Sequence, residues 1–292
     1  GRSSGTEAGR HAGKVMFRCV VSDGSRRPSR SPNQGVDPTS PVIGYHGVHR
    51  ARVTPNSVGH TGGSAMRVLA FTNGPEDWRA LLADPVKHWR TGYSARTLAY
   101  SWEAADGFPP EVASAVGSSC DPLLAGLAPV LVIPEFKVPL PPTGGRPSQN
   151  DIFVLARSLA GPVAMMVEGK VDESFGPVLG DWLAEASPGK RERLDFLLRT
   201  LGLIASPPDD LRYQLFHRAA SAVVTGEQYR AAAAVMLVHS FSQKRTGWQD
   251  YAAFASLFGV EARESVMQRF GFESRIPLFG VWVAGDPAFL RS

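Results

Sequence analysis

The sequence predicts an α/β (α+β) domain over residues 66–292, a mixed central β-sheet flanked by helices. Three observations predict it. Helical patterns fill 76–116, three strand patterns follow, and helices then alternate with strand patterns to the end of the chain. At 292 residues and 43% hydrophobic content, the chain is large enough to bury a sizeable core. Its apolar runs at 130–133 and 231–238 fall far short of the roughly 20 residues of a membrane span, so they read as buried strands and no membrane association is expected.

Residues 1–65 mix Gly, Ser, Arg, Pro and His without a sustained period, as in Arg26-Arg27-Pro28-Ser29-Arg30-Ser31-Pro32. Such a segment buries too little apolar surface to offset its ordering entropy. We expect a disordered or non-native basic N-terminal extension, either an arm that touches nucleic acid or acidic lipid or a stretch upstream of Met66. It also carries the basic charge. Eight Arg and one Lys against Glu7, Asp23 and Asp37 give it +6, and subtraction from the total of +4 leaves −2 for residues 66–292. Bulk electrostatics therefore gives the folded part no affinity for nucleic acid, and any such binding needs a local patch. With only Cys19 and Cys120, a disulfide framework and a thiolate zinc site are both excluded. The N-terminus has no uninterrupted apolar stretch of signal-peptide length, and a cytoplasmic location is expected.

From Met66 the elements follow in order. A short strand at 66–71 leads through Asn73-Gly74-Pro75 to a helix starting at Glu76-Asp77-Trp78. Ser94 reads as the N-cap of a helix through Trp102, and Pro109 or Pro110 opens another to about Val116. A strand at 130–138 ends in the Pro- and Gly-rich connection 141–147. Strands at 151–157 and 163–171, joined around Gly161-Pro162, form a hairpin. Helices follow at 178–186 and 190–203. Asp209 or Asp210 caps a third over 213–224. A central strand at 231–240, a helix at 248–258 and a strand at 276–283 complete the chain. All six Trp lie at amphipathic or strand positions and read as core.

The chemistry-bearing residues concentrate on the hairpin. Alternation along 163–171 places Val163, Met165, Val167 and Val171 on one face, and Ala164, Met166, Glu168 and Lys170 on the other. Two charges at the end of an apolar strand are costly to bury without partners. Asp151 begins the preceding strand, so antiparallel pairing brings it toward Glu168. Two carboxylates in that arrangement can share a hard cation, most simply Mg²⁺, while Lys170 orients the attacking water and offsets charge on a phosphodiester. The structural alternative is an ion pair between Glu168 and Lys170. A second Glu-x-Lys at Glu135-Phe136-Lys137 is either a contribution from the first strand or an exposed pair near a hairpin. On the helix after Asp209, Gln214, His217, Arg218 and Ser221 fall on overlapping faces. His239 has no spaced His or carboxylate that would make it a metal ligand. Nucleotide-cofactor loops and a nucleophile elbow are absent.

Asp151, sixteen residues, then Glu168-Gly169-Lys170 resembles the signature of the PD-(D/E)XK nuclease superfamily, with its restriction-endonuclease-like core. The text from Ser148 to Asp151 and from Met165 to Glu173 is also similar to an uncharacterised bacterial domain family with that fold. Asn150 stands where many members carry Pro. The resemblance implies a nuclease-like hydrolase of phosphodiester bonds in DNA or RNA, with Asp151, Glu168 and Lys170 catalytic. It implies Mg²⁺ or Mn²⁺ at Asp151, Glu168 and Gly169, and nucleic acid as partner. It implies further roles for Glu103, on a helix before the sheet, and for Gln214, on the helix after the third strand. The rival expectation is a module that kept this fold for binding and lost cleavage.

Overall fold

The computed structural model describes residues 72–270 and 274–292. The extension expected at 1–65 and the strand expected at 66–71 therefore lie outside the described residues. A 3-10 turn (Pro75–Leu81) precedes three helices, α1 (Pro85–His88), α2 (Ser94–Glu103) and α3 (Pro110–Gly117). The meander β1 (Ala128–Val138), β2 (Ser148–Ser158) and β3 (Gly161–Lys170) follows, then α4 (Leu179–Leu183), α5 (Pro188–Leu201) and α6 (Tyr213–Gln228). The chain continues through β4 (Ala233–Ser240), α7 (Trp248–Ser256), β5 (Gln268–Phe270), β6 (Leu278–Ala284) and a last 3-10 turn (Pro287–Arg291).

The strands form one mixed sheet in the order β1-β2-β3-β4-β6-β5. The meander is antiparallel, β3, β4 and β6 run parallel, and β5 pairs antiparallel with β6. This is the mixed sheet with flanking helices that the pattern predicts. Alternation divides the core between the two faces. Val163, Met165 and Val167 of β3 pack in one cluster with Leu98, Trp102 and Val112. Ala164 and Met166 pack in the other with Phe216, Ala219 and Val223 of α6. β4 is buried along its whole length, as a central parallel strand requires.

Several boundaries differ from the expectations for local reasons. Ser94 is the first helical residue of α2, and Tyr93 caps it without a side-chain hydrogen bond. Asp209 and Asp210 stop short of α6, whose N-cap is Arg212. The helix expected at Glu76 is a 3-10 turn, opened by Pro75 and held by Asp77 Oδ2, which accepts from the Asn73 amide at 2.7 Å. β2 begins three residues before Asp151, because β1 extends far enough for Val138 to pair with Ser148. β5 has only three residues, too few for a period to register. Among the described residues no helix is long and apolar enough to cross a membrane.

Candidate functional site

The candidate site forms where β3 ends beside α6. The β2/β3 register pairs Ile152 with Val167, and one step further it sets Asp151 across from Glu168. Asp151 Oδ2 accepts from the Gly169 amide at 2.8 Å. On its other side, β1 pairs Pro134 with Ile152 and Phe136 with Asn150, which sets Glu135 across from Asp151. Glu135 has φ 53°, the left-handed region that is uncommon for a side-chain-bearing residue. There the core-facing residues of β1 pass from Ile133 to Phe136, so the kink changes which face the strand presents. Three acidic residues thus occupy one row across three strands.

Glu168 is the hub. Its Oε1 accepts from Lys170 Nζ at 2.9 Å and from Gln214 Nε2 at 2.6 Å, and its Oε2 accepts from Arg218 Nε. Lys170 also donates to Gln214 Oε1 at 3.2 Å and to the Ser174 carbonyl at 3.4 Å, which occupies all three ammonium protons. Arg218 spans the cluster, with Nη1 donating to Ser148 Oγ at 3.3 Å and Nη2 lying 4.0 Å from Asp151 Oδ1. The Glu168 side chain is 4% exposed, whereas that of Asp151 is 24% exposed and reaches a cavity.

The charges respond accordingly. Burial is the largest single influence on Glu168 and opposes its ionisation, yet Arg218 and Lys170 together outweigh it and hold the carboxyl below its usual range. Burial, then the neighbouring Glu168 charge, push Asp151 well above the usual carboxylate range, because Arg218 offsets them only in part. Burial also raises Glu135. Burial and then the Arg218 charge hold His217 well below the usual imidazole value, so it is neutral at pH 7. Its Nδ1 lies 2.9 Å from Ser148 Oγ.

The sequence profile of one family matches residues 71–287. The chain belongs to that family, Domain of unknown function (DUF6946). Nothing among curated proteins or solved structures matches the chain.

Within this DUF6946 domain, Asp151, Glu168, Lys170 and Gln214 come together as one connected group. Glu103 does not join them. It lies nine residues along α2 from Ser94, which lines the cavity, so a rise of about 1.5 Å per residue carries it more than 10 Å away. There it accepts from Trp78 Nε1 at 2.7 Å and Thr72 Oγ1 at 2.6 Å, which makes it a pin for the N-terminal segment. Ser221 is likewise taken up by the His217 carbonyl at 2.6 Å. His239 is buried on the opposite face, between Trp102 Nε1 at 3.2 Å and Glu111 Oε1 at 2.8 Å. Lys137 is exposed and leaves Glu135 to pair with Gln149 Nε2.

Two cavities adjoin the cluster. A volume of about 230 Å³ is bounded by Glu135, Asp151, Gln149, Arg146 and Arg218, with the start of α2 opposite. A second, of about 450 Å³, opens beyond Arg218 between the 146–149 segment and α6. Arg146 and Arg193, which line the second cavity, went unread in the sequence. The one signal for Arg146 is its position in the connection that delivers the chain to Asp151.

The donors suit a hard cation in type. Asp151 and Glu168 offer carboxylate oxygens, and Arg218 compensates the Asp151 charge only in part. Among the described residues no three His, Cys, Asp or Glu side chains converge into a cage. Hydrated Mg²⁺ needs only one or two carboxylates. Arg218 is drawn to the same two carboxylates, so a cation and the guanidinium compete for them.

Proposed function

We propose that this domain is a nuclease-like hydrolase of phosphodiester bonds that uses Mg²⁺ or Mn²⁺. The observation that carries the reading is the convergence of Asp151, Glu168, Lys170 and Gln214 beside an open cavity. The order of helix, three antiparallel strands, helix and parallel strand agrees with the restriction-endonuclease-like core that the motif resembles.

Asp151, Glu168 and the main chain at Gly169 would hold the cation, which supplies polarisation of the phosphate and a bound water of lowered pKa. The chain's own groups do the remaining work. Arg146 and Arg218, at the wall of the smaller cavity, attract the phosphate and offset its growing charge. Lys170 and Gln214 fix the Glu168 carboxylate in one orientation, so that Lys170 acts as a fixed positive charge with its protons occupied. Asp151, raised by burial and then by the Glu168 charge, would be the carboxylate that gains most from a bound dication.

A second reading, a nucleic-acid-binding module without cleavage, is favoured by one observation. Both oxygens of Glu168 are already filled by Lys170, Gln214 and Arg218. One experiment separates the two. Plasmid, single-stranded DNA and RNA are incubated with the protein in Mg²⁺, Mn²⁺ or chelator. A hydrolase cuts at least one substrate only with metal, and Asp151→Ala, Glu168→Ala and Lys170→Ala lose the activity. A folded protein that cuts none of them and takes up no metal by calorimetry sinks the hydrolase reading in favour of the binding module.

A further inference from the structure

The larger cavity shares Arg146 and Arg218 with the smaller one and adds Arg193, Trp182 and Tyr213, which the proposed chemistry does not use. Its lining contains Arg146, Arg193 and Arg218 and no acidic residue, in a domain whose residues 66–292 carry a net −2. Arg218 is paired with Glu168, so Arg146 and Arg193 carry the uncompensated charge of this lining, which disfavours a cation and favours an anion. Arg193 is held in place by Nε on the Pro141 carbonyl and Nη2 on the Leu140 carbonyl at 3.0 Å. Arg146 is exposed and has no ion pair among the described residues. It is therefore available to a ligand without losing an internal partner.

The other wall is aromatic. Trp182 and Tyr213 stack with ring centroids 3.9 Å apart and planes at 11°, and His217 tilts against Tyr213 at 4.9 Å. The stack fixes both rings as a rigid apolar wall. At about 450 Å³ the cavity is in the range of small-molecule sites and far larger than one phosphate group needs. Its ligand therefore combines an anionic group with a flat apolar one. Arg218 lines this cavity and the smaller one, which puts the ligand one side chain away from Glu168 and Asp151.

We propose that this cavity binds a nucleotide bearing a terminal phosphate monoester, either as the end of a nucleic-acid strand or as a free mononucleotide. The proposal rests on the phosphodiester reading of the neighbouring carboxylates and adds to it a preference for phosphorylated ends. Arg146 and Arg193 hold the phosphate, and Trp182 and Tyr213 line the side that receives the base.

The test is calorimetric titration of the full chain in chelator, where no turnover occurs. The probes are thymidine 5′-monophosphate, thymidine, inorganic phosphate, and oligothymidylates of equal length with 5′-phosphate or 5′-hydroxyl ends. The monophosphate should bind about tenfold or more tightly than thymidine or phosphate alone. Arg146→Ala should weaken it about tenfold and Trp182→Ala by a similar factor, with circular dichroism and the melting temperature unchanged in Arg146→Ala. A preference for the 5′-phosphorylated oligonucleotide over the free monophosphate identifies a strand end, and the reverse order a mononucleotide. Equal affinity for all probes, no binding by any, or binding indifferent to both substitutions overturns the proposal. Binding without metal-dependent cleavage sinks the hydrolase reading and leaves the cavity's assignment standing. Cleavage by a protein that binds none of the probes does the opposite.

Discussion

Arg218 Nε donates to Glu168 Oε2, and this buried ion pair ties helix α6 to the end of strand β3. The pair sits in a chain of contacts, since Glu168 also holds Lys170 and Gln214, and Arg218 also reaches Ser148 and Asp151. Its stability consequence follows from what each partner leaves behind. Removing one member of a buried pair costs about 3–5 kcal/mol, because the other charge stays in low dielectric without compensation. Arg218→Met should therefore lower the urea midpoint strongly. Glu168→Gln should cost more, because it strands both Arg218 and Lys170, and adding Arg218→Met to it should recover only the Arg218 share. If the double variant is as unstable as the two losses added together, the pair is not coupled as drawn.

Asp151 gives a pH dependence of defined sign. Its folded carboxyl titrates well above its unfolded value, chiefly through burial and then through Glu168, so the folded state holds the proton more tightly. The contribution is fully present below the unfolded value of about 3.9 and is lost as the pH rises through the raised folded value. Asp151→Asn avoids that loss and keeps an oxygen to accept from the Gly169 amide. The variant should thus be more stable than wild type at pH 7–8, with the difference shrinking toward zero near pH 4. Urea midpoints across this range check it, and a variant less stable at pH 8 counts against the charge deficit.

How far the site was legible depends on the kind of order involved. The face shared by Glu168 and Lys170 follows from the period of two, and the approach of Asp151 follows from a short hairpin, so both could be read along the chain. Glu135 could not be joined to Asp151, because their meeting depends on the β1/β2 register across a long connection and on a left-handed residue within β1. Glu103 stands apart from the cluster for the opposite reason. It satisfied a motif, but the indole N–H of Trp78 and the hydroxyl of Thr72 claim it at the far end of α2. Arg218 was visible as a helix-face neighbour of Gln214, whereas its central role between two carboxylates is a tertiary fact.

His239 is the second buried polar centre and predicts a shift of its own. Trp102 Nε1 donates to Nδ1, so the neutral ring carries its proton on Nε2 and donates to Glu111. Burial holds its pKa below the usual value against the opposing pull of Glu111. Neutral His239 therefore contributes stability above about pH 6.5 that is lost as the pH falls through the lowered value. Trp102→Phe removes the donor that marks Nδ1 as an acceptor. The His239 pKa, followed by its imidazole NMR signals, should rise toward the ordinary value, and stability at pH 7 should fall by about 1–3 kcal/mol for the unsatisfied nitrogen. An unmoved titration would mean that Trp102 does not fix the tautomer.

Arg218 also sets the terms for a metal. A dication at Asp151 and Glu168 would draw on the oxygens that the guanidinium now contacts, so the two are competitors. Arg218→Gln should raise Mn²⁺ affinity measured by calorimetry, by about 5- to 100-fold if the competition has the usual strength of coupling between two binding events. The same substitution should lower cleavage, since it removes a positive charge from the wall of the cavity that would receive the phosphate. Tighter metal binding with weaker cleavage is a combination that simple unfolding does not produce, because unfolding lowers both. Asp151→Asn in the Arg218→Gln background should then abolish the gain, as it takes away the carboxylate with room for a ligand. Unchanged Mn²⁺ affinity in Arg218→Gln would mean that the ion does not use Glu168, and the shared-cation arrangement would fall while the anion-binding cavity beside it would not.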